Sequence, residues 1–139
     1  MNAQEMKDAS RRFMTGVFDE GDFALFDEMT TDGYAFTIAR PGLIPKGEFV
    51  DTVRGFRSGF SVIRNTFEEQ VIEGNVVVTR GTSHVTQLAP ADDRNATPME
   101  ASVPWIVFTR FEGDLISEHY EVWDELGLMY QLGAIPEPE

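Results

Sequence analysis

A change of hydrophobic period near Gly59 constrains this chain more than any other feature. Before it, apolar residues recur at helical spacing. Beyond it, two pairs of apolar, alternating segments each flank a short glycine-centred turn: residues 61–72 and 76–88 around Glu73-Gly74-Asn75, and residues 101–111 and 115–123 around Glu112-Gly113-Asp114. Such turns between alternating runs encode β-hairpins. Helices first and long hairpins after imply an α+β fold, with helices against one face of an antiparallel sheet.

The helical half divides into three segments. Residues 2–20 read as one amphipathic helix, opened by a capping-box pair, Asn2 and Glu5, with Met6, Ala9, Phe13 and Val17 on its apolar face. Gly21 stops it, and Asp22 caps a second helix running to Met29. A strand over residues 33–38 enters a Pro-Gly loop, 40–45, and a third helix spans 47–57 with Phe49, Val53 and Phe56 inward. Residues 89–100 form a polar loop, and 125–132 a short C-terminal helix. With 139 residues and no linker or repeat, residues 1–139 read as one domain.

Composition excludes several function classes. A formal net charge of −13 leaves no basic footprint for nucleic acid, and an anionic membrane surface would repel the chain. The absence of cysteine removes disulfides and thiolate metal sites. Two histidines and scattered carboxylates without ligand spacing give no metal site. The first residues carry neither a basic nor an apolar leader region, and no apolar run approaches the roughly 18 residues of a membrane helix. The expectation is therefore a cytoplasmic protein, with the Asn95-Ala96-Thr97 sequon a chance match. Eleven phenylalanines exceed what filling a small core requires and allow a ring-lined cavity.

Alternation along residues 101–111 sets Val103, Trp105 and Val107 on one face and Ile106 and Phe108 on the other. A strand apolar on both faces needs cover on both. Helices supply one cover and a second copy of the chain the other, so a homodimer is expected. Alternation also puts Arg80, Thr82, His84 and Thr86 on one face of their strand, opposite Val77, Thr79, Gly81, Ser83 and Val85.

Chemistry concentrates at the C-terminus. Asp124 follows an aromatic-rich strand and precedes the apolar turn Leu126 to Met129. It reads either as a carboxyl at the edge of an apolar cavity, a general acid or base, or as the N-cap of the last helix. His119 differs from Asp124 in parity, so a regular strand points the two to opposite sides. Phe13, Phe36, Phe56 and Trp105 are candidate cavity walls; Tyr34, Arg80 and His84 are candidate polar contacts for a substrate.

The segment Phe111-Glu112-Gly113-Asp114-Leu115-Ile116-Ser117-Glu118-His119-Tyr120, followed by Asp124-x-x-Gly127 and Gln131-Leu132-Gly133, resembles the closing motif of SnoaL-like polyketide cyclases, within the nuclear transport factor two-like superfamily. Tyr120 stands where the family commonly has tryptophan, Asp114 where lysine is common, and Phe36 where many members carry histidine. The resemblance implies three N-terminal helices on a curved sheet, a cone-like pocket and a short closing helix. It also implies a cofactor-free acid/base enzyme acting on a hydrophobic, carbonyl-bearing ring compound or polyketide-like precursor. Asp124 occupies the catalytic aspartate's position, with His119 beside it. The alternative is a non-catalytic module on the same fold, binding a small hydrophobic ligand or dimerising.

Overall fold

The computed structural model describes residues 1–39, 42–88 and 98–138. Helix α1 (Ala3–Phe13) opens on the expected capping box: the Glu5 amide donates to the Asn2 side chain at 2.8 Å, and the Asn2 amide donates to the Glu5 carboxylate at 3.4 Å. The single helix expected over 2–20 divides. After Phe13 the chain widens into a π-helical turn, Met14–Asp19, with the Glu20 amide donating to the Thr15 carbonyl five residues back. The π-turn buries Met14, Gly16 and Val17 beside Phe13, the last residue of α1. Gly21, at φ 70°, ends it, and Asp22 caps α2 (Phe23–Met29) through the Leu25 amide.

Six strands form one curved, unclosed sheet: β1 (Thr30–Ile38), β2 (Gly42–Pro45), β3 (Phe60–Glu73), β4 (Val76–Gln87), β5 (Glu100–Glu112) and β6 (Leu115–Trp123), in the order β2-β1-β6-β5-β4-β3. Both hairpins form at the expected turns. Helix α3 (Lys46–Arg57) connects β2 to β3, and α4 (Glu125–Gln131) follows β6. One pairing, β1 with β6, is parallel, because these strands are remote in sequence and no hairpin dictates their direction.

The segment 40–45 corrects the loop expectation in part. Gly42–Pro45 is a short strand paired with β1, while Arg40 and Pro41 lie outside the described residues. Proline is tolerated there because β2 is an edge strand and Pro45 is its last residue. Residues 89–97 of the polar loop, including the Asn95 sequon, also lie outside the described residues. No helix among the described residues is long and apolar enough to cross a membrane.

The helices cover the inner face of the sheet with interlocked rings. Phe26 and Phe49 stack at 4.4 Å, and Phe13 packs on Phe26, Tyr34, Phe49 and His119. Burial along β5 alternates without exception: Val103, Trp105 and Val107 face in, Ile106 and Phe108 face out. Gly81 of β4 pairs with Trp105, and a Cβ there would strike the indole ring and the Thr66 carbonyl. Only glycine lets Trp105 lie flat against the neighbouring strand.

Gly81→Ala is therefore expected to destabilise the fold by about 1–3 kcal/mol through overpacking. Gly55→Ala, in α3 with nothing within 4 Å of the added methyl, should stabilise it by about 0.5–1 kcal/mol. Urea denaturation of the two variants checks both signs.

Candidate functional site

Between the inner face of the sheet, the π-turn and α3 lies a partly open cavity of about 90 Å³. Its walls are mainly rings: Phe18 from the π-turn, Phe36 from β1, Phe49 and Phe56 from α3, Trp105 from β5 and Trp123 from β6. Drug-sized ligands usually fill pockets of roughly 300–1,000 Å³, so this cavity admits a small ring or requires its walls to part for a larger one.

Four polar residues line it: Thr52, Asn65, Ser83 and Glu121. Asn65 is the hub of a network. Its side-chain carbonyl accepts from the Trp105 indole N–H at 2.9 Å and the Ser83 hydroxyl at 2.5 Å. Its side-chain amide and backbone N–H each donate to one oxygen of Asp19, at 2.5 and 2.9 Å. Burial raises the Asp19 carboxyl, and the Asn65 hydrogen bonds oppose that rise. The Arg57 guanidinium, at the end of α3, donates to the Phe18 and Asp19 carbonyls. It thereby ties the last turn of the π-segment to the helix across the cavity.

Glu121 differs from the other three. Its carboxyl makes no hydrogen bond or ion pair with any described residue, and burial pushes it up to about 7. Alternation along β6 explains its place: His119, Glu121 and Trp123 share the inner face, while Tyr120 and Val122 point outward. Glu121 is half-buried, and a carboxyl held among rings loses part of its hydration, so its neutral form is favoured.

His119 lies one inward position earlier and is completely buried. It does not line the cavity; Phe13 and Phe36 pack against its ring. Its Nδ1 is 2.7 Å from the Tyr34 hydroxyl, and its Nε2 has no partner. A hydroxyl donating to Nδ1 leaves one unmet group, the Nε2–H, whereas the reverse arrangement leaves two. Burial lowers the imidazole to about 3, so it is neutral near pH 7. Burial raises Tyr34 well above its ordinary value, and the Glu121 charge adds to that rise.

Of the residues singled out from sequence, Phe36, Phe56 and Trp105 line the cavity. Phe13 and Tyr34 sit behind its wall in the core. Arg80 and His84 lie on the opposite face of the sheet, Arg80 paired with Glu69 at 3.6 Å and His84 between the Thr66 and Ser102 hydroxyls. Asp124 is exposed and caps α4, accepting from the Gly127 amide at 2.9 Å. A Cβ at Gly127 would collide with that carboxylate, which gives the Asp124-x-x-Gly127 spacing a local structural reason. Glu121, Asn65, Ser83 and Asp19 escaped sequence reasoning. For Glu121 parity with His119 was readable, but which face of β6 turns inward was not, since Trp123 and Val122 make both faces apolar.

Fold and cavity together define an α+β cavity protein of the nuclear transport factor two-like class. Residues 10–119 match the SnoaL-like domain, and the chain belongs to that family. No curated protein matches it in sequence. Among solved structures it is similar to TsrD from Streptomyces laurentii, at 24% identity and a TM-score of 0.78 over 97% of this chain and 99% of that one. It is also similar to AclR, a candidate hydroxylase from Streptomyces galilaeus, at 17% and 0.82 over 99% and 87%. IdmH, a candidate polyketide cyclase from Streptomyces antibioticus, aligns at 17% and 0.75 over 92% and 98%. At these identities the likeness is one of fold.

The half-buried Glu121 and the fully buried His119 act oppositely on stability. Between its unfolded value of 4.5 and about 7, native Glu121 holds a proton that the unfolded chain has lost, so its contribution falls as pH rises through that window. Native His119 refuses a proton that the unfolded chain takes up below 6.5, so its contribution rises with pH from about 3 to 6.5. The wild-type profile alone therefore mixes both. The stability difference between wild type and Glu121→Gln isolates the carboxyl, and should fall by about 3 kcal/mol between pH 4.5 and 7, then level off.

Proposed function

We propose that this protein is a cofactor-free acid/base enzyme of the SnoaL-like group, acting on a hydrophobic, carbonyl-bearing ring compound or polyketide-like precursor in a reaction of cyclase or isomerase type. The observation that carries the reading is Glu121, an unpartnered carboxyl on the wall of a ring-lined cavity. A group with a midpoint near 7 is present as both acid and base at neutral pH, which suits a step that takes a proton from carbon and later returns one. In this reading Glu121 carries the proton. Asn65, oriented by Asp19, Ser83 and Trp105, offers its remaining amide N–H to the substrate carbonyl. The rings keep bulk water from the developing charge. Asp124, placed by family resemblance at the catalytic position, serves as a helix cap in this account.

The test does not depend on identifying the natural substrate: exchange of the α-protons of small aryl ketones for solvent deuterium, followed by NMR. Wild type should accelerate exchange, with a rate that rises through pH 7 as Glu121 ionises. Glu121→Gln should lower it by about 100-fold or more. Asp124→Ala should retain the wild-type rate while losing about 1 kcal/mol of stability. Exchange at the wild-type rate by Glu121→Gln, together with its loss in Asp124→Ala, would return the catalytic role to Asp124.

The outer face of the sheet supports the homodimer reading. Ile106 and Val122 are cross-strand partners, as are Phe108 and Tyr120. These four are 45%, 49%, 47% and 42% exposed and form one apolar patch on the single chain. The ion pairs Arg80–Glu69 and Arg110–Glu118 flank it, so the rim carries both signs. A two-fold contact can set each sign against its opposite, which fits a second copy of this chain as the occupant. Sedimentation should show a dimer for wild type and a monomer for Phe108→Arg; a monomeric wild type would refute the pairing.

A further inference from the structure

The cavity's polar chemistry is one-sided. Among the described residues that line it there is no lysine, arginine or histidine, and the only ionisable group is Glu121. Nothing in the described chain pairs with that carboxyl. Six rings surround the same space, and the faces of aromatic rings attract cations. The Trp105 indole N–H, which would repel a cation, is engaged by the Asn65 side-chain carbonyl. A chain of net charge −13 also concentrates cations near its openings.

We propose that this cavity also binds a small ring-bearing amine that it does not turn over, held as its ammonium ion with Glu121 as counter-ion and the rings as its cage, in competition with the carbonyl substrate. An anion would meet Glu121 with no compensating base, whereas an ammonium ion supplies the counter-charge that the ionised carboxyl lacks. The proposal shares with the functional reading only the premise that the cavity is a ligand site. Proton transfer places Glu121 against a C–H bond, whereas amine binding uses it solely as a charge.

The groups around Glu121 leave the pH response to Glu121 itself. From β1 comes Tyr34, raised well above its ordinary range, and from β6 His119, lowered to about 3. The π-turn brings Asp19, held by Asn65, and α3 brings Arg57, engaged with the Phe18 and Asp19 carbonyls. Strands β3, β4 and β5 contribute Ile63, Asn65, Ser83 and Trp105 to the wall, none of which titrates near neutral pH.

The experiment compares benzylamine, benzyl alcohol and benzoate. Trp105 and Trp123 are the chain's only tryptophans and both line the cavity, so intrinsic emission reports occupancy directly. Benzylamine affinity should rise about tenfold per pH unit from 5 to 7 and then level, since its binding requires the carboxyl to release a proton. At pH 8 it should exceed that of benzyl alcohol by about tenfold or more, with benzoate not bound. Glu121→Gln should abolish the pH dependence, a melting curve confirming that the variant is folded. Benzyl alcohol binding as tightly as benzylamine at pH 8, a pH-independent wild type, or no binding of any probe would overturn the proposal. Should α-proton exchange persist in that event, the amine assignment alone falls; if exchange is lost as well, the cavity is not a ligand site.

Discussion

Two hydrogen bonds between Asp19 and Asn65 join the helical layer to the sheet, and the cavity depends on them. Asp19 ends the π-turn; Asn65 stands in β3 with Trp105 and Ser83 attached to its carbonyl. This link sets Phe18 on one wall opposite Trp105 on the other, while a second polar tie between the layers, from Gln70 of β3 to the Lys7 carbonyl of α1, lies outside the cavity lining. Arg57 completes the frame by holding α3 to the same turn. A carboxylate that accepts two hydrogen bonds while substantially buried gains more from them than an exposed pair would, because the surroundings screen them less. The helices are therefore braced at a fixed separation instead of collapsing onto the sheet, and the space left between them is the cavity.

The same burial acts in opposite directions on two neighbours of β6. His119 is driven neutral by losing affinity for a proton, and Glu121 is driven toward neutrality by gaining it. Neither reaches for the other, since Nδ1 of His119 is satisfied by Tyr34 and the ring is shielded by Phe13 and Phe36. The result is a low-charge interior in which one carboxyl titrates in the physiological range. A group so placed responds strongly to whatever enters the cavity, because a ligand's charge or hydrogen bond replaces solvation that the protein withholds.

Much of the fold was legible in the sequence for local reasons. Asn2 and Glu5 close a capping box within one turn, and the glycine turns at Gly74 and Gly113 fix hairpin registers by neighbouring residues alone. Parity along β5 read correctly because its buried and exposed positions alternate without interruption. The π-turn left no such trace, and Gly42–Pro45 read as a loop because its composition is that of a turn while its pairing with β1 is tertiary. The site was less legible. Asp19 and Asn65 are far apart in sequence and meet only in the folded chain. In β6 both faces carry large apolar side chains, Trp123 inward and Val122 outward, so hydrophobicity could not show which face Glu121 shares. Asp124 drew attention as the terminal acid of a familiar motif, yet the spacing to Gly127 is accounted for by a cap and the clearance it needs.

Everything functional turns on one carboxyl that a ring-lined wall shares between its acid and base forms at neutral pH. Carbon-detected NMR of the glutamate side-chain carboxyls across a pH titration, with Glu121→Gln assigning the resonance, measures it directly. A midpoint near 7 for Glu121 is the expected result. A midpoint near the ordinary glutamate value of about 4.3 would mean that the carboxyl is solvated, and that the cavity does not tune it for acid/base work.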